Sequence, residues 1–201
     1  ADQDKSEKSG IDVYKKLVVL MHSCDEAYDS SLMQMTKGIQ SYLKKHDYSL
    51  IIEHSNRDVE KEKEIIQSVA EKRIGGMILF SENPEACRQE ILKLKENKVP
   101  FVMVDRYIST FPVSYVASDN FDGAYSAAMH LIELGHKNIA FLASNFFLSS
   151  EKERYQGYLK ALEYANITFK PEWLIKEPVT KNSKLFPMIK NGEITAIMAV
   201  N

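Results

Sequence analysis

The feature that most constrains the fold of this chain is a repeated alternation between two kinds of segment. Short, almost wholly apolar stretches of strand length are followed by longer stretches in which apolar residues recur with helical spacing. The strand-like stretches are KLVVLM (16–21), YSLIIE (48–53), IGGMILF (74–80), VPFVMV (99–104), SYVAS (114–118), KNIAFLAS (137–144) and TAIMAV (195–200). Continuous apolar strands are typical of parallel sheets, because helices cover both faces of such sheets. The pattern therefore predicts an α/β fold with parallel sheets.

The segments between these strands have the length and the periodicity of amphipathic helices. On the second of them the apolar residues Val59, Ile66, Val69 and Ala70 share one side, with the charged residues opposite. The five predicted helices are SSLMQMTKGIQSYLKK (30–45), DVEKEKEIIQSVAEKR (58–73), PEACRQEILKLKEN (84–97), DGAYSAAMHLIEL (122–134) and EKERYQGYLKALEYA (151–165). We expect the third to open at Pro84.

The fourth helix has clear end signals. We expect it to begin near Asp122, behind Asp119 and Asn120 as N-terminal cap, and to stop at Gly135.

Composition narrows the range of partners. The chain has 201 residues, of which 44% are hydrophobic, and a formal net charge of −2. It is large enough for one domain or two small ones, and it lacks the positive field that draws proteins to DNA or anionic lipid. No apolar run approaches the ~18 residues that would span a membrane. The polar segment 1–12 has no signal-peptide core, so it fits either a linker or a mature end left after processing.

The sequence offers no specific catalytic or metal-binding pattern. It contains no phosphate-binding loop, no dinucleotide fingerprint and no zinc-protease motif, so we expect no cofactor and no metal. Cys24 and Cys87 have no metal spacing and nothing requires them to pair, which favours a reducing cytoplasm. His22 and Cys24 could act as base and thiol nucleophile, but neighbouring strand-end residues seldom meet in that way.

Polar side chains follow several predicted strands at the point where each strand ends. The most distinctive set is Asp105, Arg106 and Tyr107, directly after VPFVMV. Ligands of open parallel sheets bind beyond the carboxyl ends of the strands. A carboxylate accepts hydrogen bonds from hydroxyls, a guanidinium donates them, and an aromatic ring covers apolar C–H faces, as a polyol ligand requires. Asp105 and Arg106 could equally form a structural ion pair.

Four segments, in order and at suitable spacing, resemble the effector-binding domain of LacI/GalR-type transcription regulators, which shares its fold with periplasmic sugar-binding proteins. They are VPFVMVDRY, DNFDGAYSAAMHLIELGHKNIAFL, RYQGYLKAL and TAIMAVN, and the resemblance runs from Leu17 to Asn201. It implies two doubly wound parallel-sheet lobes, joined by three crossings, with the ligand in the cleft between them. We expect a polar tail or linker at 1–12, a first lobe at 13–118 and a second lobe at 119–201.

The resemblance also implies ligand-binding residues. Asp105 and Arg106 match an acid–arginine pair that grips sugar hydroxyls, Arg154 matches an arginine reaching into the cleft, and Asn201 matches a terminal asparagine. Three further candidates are Tyr28 and Asp29, in a loop that departs from the family's NPFF pattern, and Ser81, which with Glu82 could instead cap the helix expected at Pro84.

The sequence departs from the family pattern at both ends. The family's N-terminal helix-turn-helix is absent, and the chain stops before the aspartate that normally follows Asn201. We therefore expect the second lobe to be incomplete, and we expect a protein that ended at Asn201 to present an unpaired strand edge and aggregate.

Taken together, these observations predict a non-enzymatic sensor domain of a cytoplasmic transcription regulator. We expect a small-molecule effector, a sugar, to change by linkage the operator affinity of a DNA-binding module outside this sequence, and the protein to be a homodimer. Two alternatives stay open: an exported sugar-binding protein that serves a transporter or sensor, and an enzyme built on the same sheet.

Overall fold

A computed structural model describes residues 14–23, 30–72, 74–143, 148–180 and 183–200, with the side chains of residues 30 and 31 excepted. The chain divides into two compact units, one up to Val116 and the other from Ala117 onward. None of the helices in these described ranges is long and apolar enough to cross a membrane.

The first unit is a parallel sheet with the strand order β2-β1-β3-β4-β5. Its strands are β1 (Leu17–His22), β2 (Ser49–His54), β3 (Gly76–Phe80), β4 (Phe101–Val104) and β5 (Tyr115–Val116). Its helices are α1 (Ser30–Lys45), α2 (Val59–Lys72) and α3 (Arg88–Glu96). The strand–helix alternation arises because each parallel pairing needs a crossover, and the α/β prediction is confirmed.

The register of this sheet brings the polar strand ends to one edge. His22 at the end of β1 lies opposite His54 on β2 and Phe80 on β3. Helices α2 and α3 close the sheet on one face through Ile66, Leu94 and neighbouring apolar side chains, which are fully buried. Burial of these side chains fixes the strands, so the loops beyond their carboxyl ends start from rigid points.

The second unit has a parallel sheet with the order β7-β6-β8. Its strands are β6 (Ile139–Leu142), β7 (Leu174–Ile175) and β8 (Ala196–Ala199), and its helices are α4 (Asn120–Glu133), α5 (Ser149–Tyr164) and α6 (Leu185–Lys190). The core of this unit includes Phe141, Tyr158 and Trp173. Three strands are described here, against five in the first unit.

Two predicted helix starts are wrong by a few residues. Helix α4 begins at Asn120, two residues before the expected start, and Asp119 caps it as predicted, since its carboxylate accepts a hydrogen bond from the Asp122 N–H at 3.0 Å. Its end agrees with the prediction, since Gly135 has a φ of 93° and terminates the helix. Helix α3 begins at Arg88 rather than Pro84, because a turn precedes it in which the Cys87 N–H donates to the Pro84 carbonyl at 3.1 Å.

Candidate functional site

The chain turns sharply where β4 ends. Asp105 adopts a φ of 64°, a left-handed conformation that Asp tolerates better than most residues. Its N–H donates to the Val116 carbonyl at 2.9 Å, and the Arg106 N–H donates to the Val104 carbonyl at 2.7 Å. This tight turn places the Asp105 and Arg106 side chains side by side at the carboxyl edge of the first sheet.

The Arg106 guanidinium is held mainly by Glu82, the residue two positions beyond β3. One terminal nitrogen, Nη1, donates to the Glu82 backbone carbonyl at 2.9 Å and pairs with the Glu82 carboxylate at 3.1 Å. The Arg106 side chain is 18% exposed. Charge-assisted contacts to two acceptors of one residue fix the guanidinium more firmly than a single surface ion pair would.

The Asp105 carboxylate lies nearby but is held less tightly. Its Oδ2 lies 3.7 Å from Arg106 Nε, which is within ion-pair range but beyond a hydrogen bond. The side chain is one-third exposed, and its carboxylate accepts no hydrogen bond within the described ranges. The site therefore presents an acceptor with unused capacity next to a positioned cation.

Beneath these residues lies a carboxylate that the sequence analysis missed. Glu62 of α2 is fully buried. Its Oε1 accepts hydrogen bonds from Ser55 Oγ at 3.2 Å and from the Glu82 N–H at 2.8 Å. Its Oε2 accepts one from Ser81 Oγ at 2.5 Å and contacts Cys87 Sγ at 3.6 Å. The available signal was its spacing, three residues after Val59 and four before Ile66, which puts it on the buried face of α2.

Two side chains of this cluster have properties set by Glu62. The Ser81 hydroxyl, a predicted ligand contact, is buried and points at Glu62, and the start of α3 has no side-chain cap. Burial raises the pKa of the Cys87 thiol to about 12, and the neighbouring Glu62 carboxylate adds to that effect. The thiol is therefore protonated at neutral pH and is a poor nucleophile.

Aromatic rings flank the same edge. The His22 and His54 rings meet edge to face with centroids 4.0 Å apart, and Tyr107 stacks on Tyr115 at 3.9 Å. The interpretation of His22 as a base for Cys24 receives no geometric support, since Cys24 lies outside the described residues. Within those residues, no group of three or more His, Cys, Asp or Glu side chains could hold a metal ion.

In the second unit, Arg154 of α5 reaches the ends of two other elements. Its Nε donates to Asn120 Oδ1 at 3.0 Å, and its Nη1 donates to the Val200 carbonyl, just beyond β8. The Asn120 amide in turn donates to the Glu153 carboxylate at 3.0 Å. Asn120 is buried and so orients the guanidinium from below. A hollow of about 280 Å³ lies beside this group, lined by Asp119, Asn120, Arg154, Met198 and neighbouring residues.

Three predicted site residues lie outside the described part of the chain, namely Tyr28, Asp29 and Asn201. Of the others, the structure groups Asp105, Arg106 and Ser81 around Glu62 and Glu82 in the first unit. It places Arg154 in the second.

The chain is similar to a family of ligand-binding domains and to transcriptional repressors. Residues 14–181 match the family described as periplasmic binding proteins and the sugar-binding domain of the LacI family. The HTH-type transcriptional repressor PurR of Mannheimia succiniciproducens is 28% identical over 143 residues, which cover 71% of this chain and 42% of that protein. The chain thus spans less than half the length of the curated relatives it matches.

Solved structures agree on the fold. The transcription regulator CcpA of Lactococcus lactis matches with a TM-score of 0.76 at 22% identity, covering 92% of this chain and 67% of that one. The Cra transcriptional dual regulator of Pseudomonas putida, in complex with fructose 1-phosphate, matches with a TM-score of 0.71 at 18% identity, covering 92% and 68%.

Proposed function

Because the chain belongs to the family of periplasmic binding proteins and LacI-family sugar-binding domains, we propose that it senses a sugar or a sugar-like polyol for a transcription regulator. The observation that carries the proposal is the strand-end pair Asp105 and Arg106. The Asp105 carboxylate has free acceptor capacity, and the Arg106 guanidinium beside it is already oriented.

The chemistry of this pair suits vicinal hydroxyl groups. Asp105 accepts hydrogen bonds from two neighbouring hydroxyls, while Arg106 donates to a ring or hydroxyl oxygen. The stacked ring of Tyr107 offers an apolar wall nearby. Orientation in advance matters, because a guanidinium held by Glu82 loses little conformational entropy when the effector binds.

The second unit contributes its own contacts under this proposal. Arg154, oriented by Asn120, and Asn201 bind the effector from that unit, and Tyr28, Asp29 and Ser81 are further proposed contacts in the first.

The regulatory output requires more than this chain. The curated relatives are HTH-type transcriptional repressors, and this chain corresponds to less than half of their length. We propose that a DNA-binding module carries out operator recognition, that effector binding changes its affinity through linkage, and that the protein works as a cytoplasmic homodimer. A family of binding and regulatory domains also favours a non-enzymatic role.

A thermal-shift screen of the full-length protein tests the proposal. The probes are cellobiose, fructose 1-phosphate and a panel of free pentoses and hexoses, each at millimolar concentration. A bound effector raises the melting temperature by mass action, by an amount that grows with concentration. The Arg106→Ala variant should lose the shift and the Arg88→Ala variant should keep it. A shift that Arg106→Ala leaves intact would contradict the assignment of the site.

A further inference from the structure

We propose that Glu62, which is fully buried, is the positioning residue for Arg106. It acts through Glu82: the Glu62 carboxylate holds the Glu82 N–H, and the Glu82 carbonyl and carboxylate hold the guanidinium. What Arg106 binds rests on the proposed function, but the positioning itself does not.

The contacts of Glu62 satisfy the hydrogen-bonding capacity of a buried carboxyl group. Each of its two oxygens faces two donors: Ser55 and Glu82 on one side, Ser81 and Cys87 on the other. In the described part of the chain no cation pairs with it, so these donors replace the water that burial removed. A buried acceptor group holds its donors in place, because any donor that left would leave buried polar atoms without a hydrogen-bond partner.

The donors come from two loops, one after β2 and the other between β3 and α3. Ser55 follows β2, Ser81 and Glu82 follow β3, and Cys87 immediately precedes α3. Helix α2 thus fastens the two loops at the carboxyl edge of the sheet from below. The Glu82 loop is the one that matters for function, because it is the only one of these loops that holds Arg106 in the described structure.

The Glu82 carboxylate alone would not fix Arg106. At the surface an ion pair contributes little and shifts between geometries, since the Glu82 side chain is about one-third exposed. The backbone carbonyl of Glu82 is the more rigid acceptor, and its direction depends on the peptide plane of the loop. The Glu62 hydrogen bond to the Glu82 N–H constrains the backbone at that residue.

The variant Glu62→Met tests the proposal with little change in side-chain length. It removes both acceptor oxygens, so the Glu82 N–H loses its side-chain partner. The matched control is Glu60→Met, the same chemical change on the same helix at a side chain that is 78% exposed.

The readout is the rate at which phenylglyoxal modifies Arg106, followed by peptide mass spectrometry in the full-length protein without effector. In Glu62→Met we expect the rate at Arg106 to rise about fivefold, because a freed guanidinium is more often accessible. The rate at Arg88 should not change, since Arg88 pairs with Glu85 at 2.7 Å and not with Glu62. Glu60→Met should match the unsubstituted protein at both arginines.

Two results would overturn the inference: an unchanged Arg106 rate in folded Glu62→Met, or an equal rise at Arg88, which would mean general loosening. If Glu62→Met does not fold, Ser55→Ala decides, because it removes one donor and should still raise the Arg106 rate about twofold. Because no effector is present, failure here is distinct from failure of the proposed function, which would show as effectors that never protect Arg106.

Discussion

At the scale of single residues, the first unit contains a thiol whose chemistry is set by its neighbours. Cys87 is fully buried and lies against the Glu62 carboxylate. Both circumstances disfavour the thiolate, so the folded protein retains the Cys87 proton well above the ordinary pKa of 9.0. Because the folded and unfolded states release the Cys87 proton at different pH, the free energy of unfolding depends on pH.

We predict that the free energy of unfolding falls at alkaline pH because of Cys87. The unfolded thiol loses its proton near pH 9 while the folded one keeps it to about pH 12. The contribution of the protonated Cys87 thiol to stability is therefore complete below pH 9, and it is lost as the pH rises from 9 towards 12. Between pH 7.5 and 10 the protein should lose about 1.4 kcal/mol more of its unfolding free energy than Cys87→Ala does. Urea unfolding at both pH values measures this, and identical losses in the two proteins would refute it.

A second residue-scale prediction concerns Tyr158, the largest fully buried side chain of the second unit. Its hydroxyl donates to the Ile139 carbonyl at 2.8 Å, and burial raises its pKa. Tyr158→Phe should cost about 1 kcal/mol through the lost hydrogen bond. Tyr164→Phe, on the same helix at a residue that is 69% exposed, should be nearly neutral. Equal effects in chemical denaturation would contradict this account.

At the scale of elements, the second unit depends on close contact between α4 and α5. Gly157 of α5 lies directly on the backbone of α4, where an added Cβ would approach the Phe121 carbonyl oxygen to 2.2 Å. Backbone atoms cannot turn aside as side chains do, so this position requires glycine in order for the two helices to meet.

We therefore predict that Gly157→Ala destabilises the second unit by about 3 kcal/mol. The control is Gly123→Ala on α4, where nothing lies within 4 Å of the new Cβ. That change should instead stabilise the protein by about 0.5–1 kcal/mol, since alanine favours a helix over glycine. Melting curves of the two variants that shift in the same direction would show that the helices are not in tight contact.

Sequence patterns predicted most helices and strands of this fold but missed the shortest ones. Long periodic segments such as 58–73 and apolar strands such as 99–104 were predicted, because the face of an element that is buried carries apolar residues at a regular spacing. Strand β7 and helix α6 were missed, since Leu174–Ile175 is only two residues long and Leu185–Lys190 contains a proline. Asp105 and Arg106 were found from their place after a strand, but Glu62 was counted with the exposed charges of its helix. Its partners lie in two other segments, and only the tertiary structure brings them together.

At the scale of the whole molecule, the balance of charge bears on DNA. The formal net charge is −2, and binding to phosphates requires a basic face. We predict that the isolated chain shows no salt-sensitive affinity for duplex DNA in a fluorescence polarisation assay. Micromolar binding that weakens steeply as salt is added would contradict the assignment of DNA recognition to a separate module.

Calorimetric titration of the full-length protein tests whether the strand-end pair Asp105 and Arg106 binds the effector. With the sugar that raises the melting temperature, Asp105→Ala and Arg106→Ala should each lose affinity by about 100-fold or more while staying folded. Glu85 and Arg88 form another acid–arginine pair in the same unit, and their alanine variants should bind normally. If Arg106→Ala unfolds while its residual folded fraction binds at full affinity, or if it binds normally without unfolding, the pair does not bind the effector.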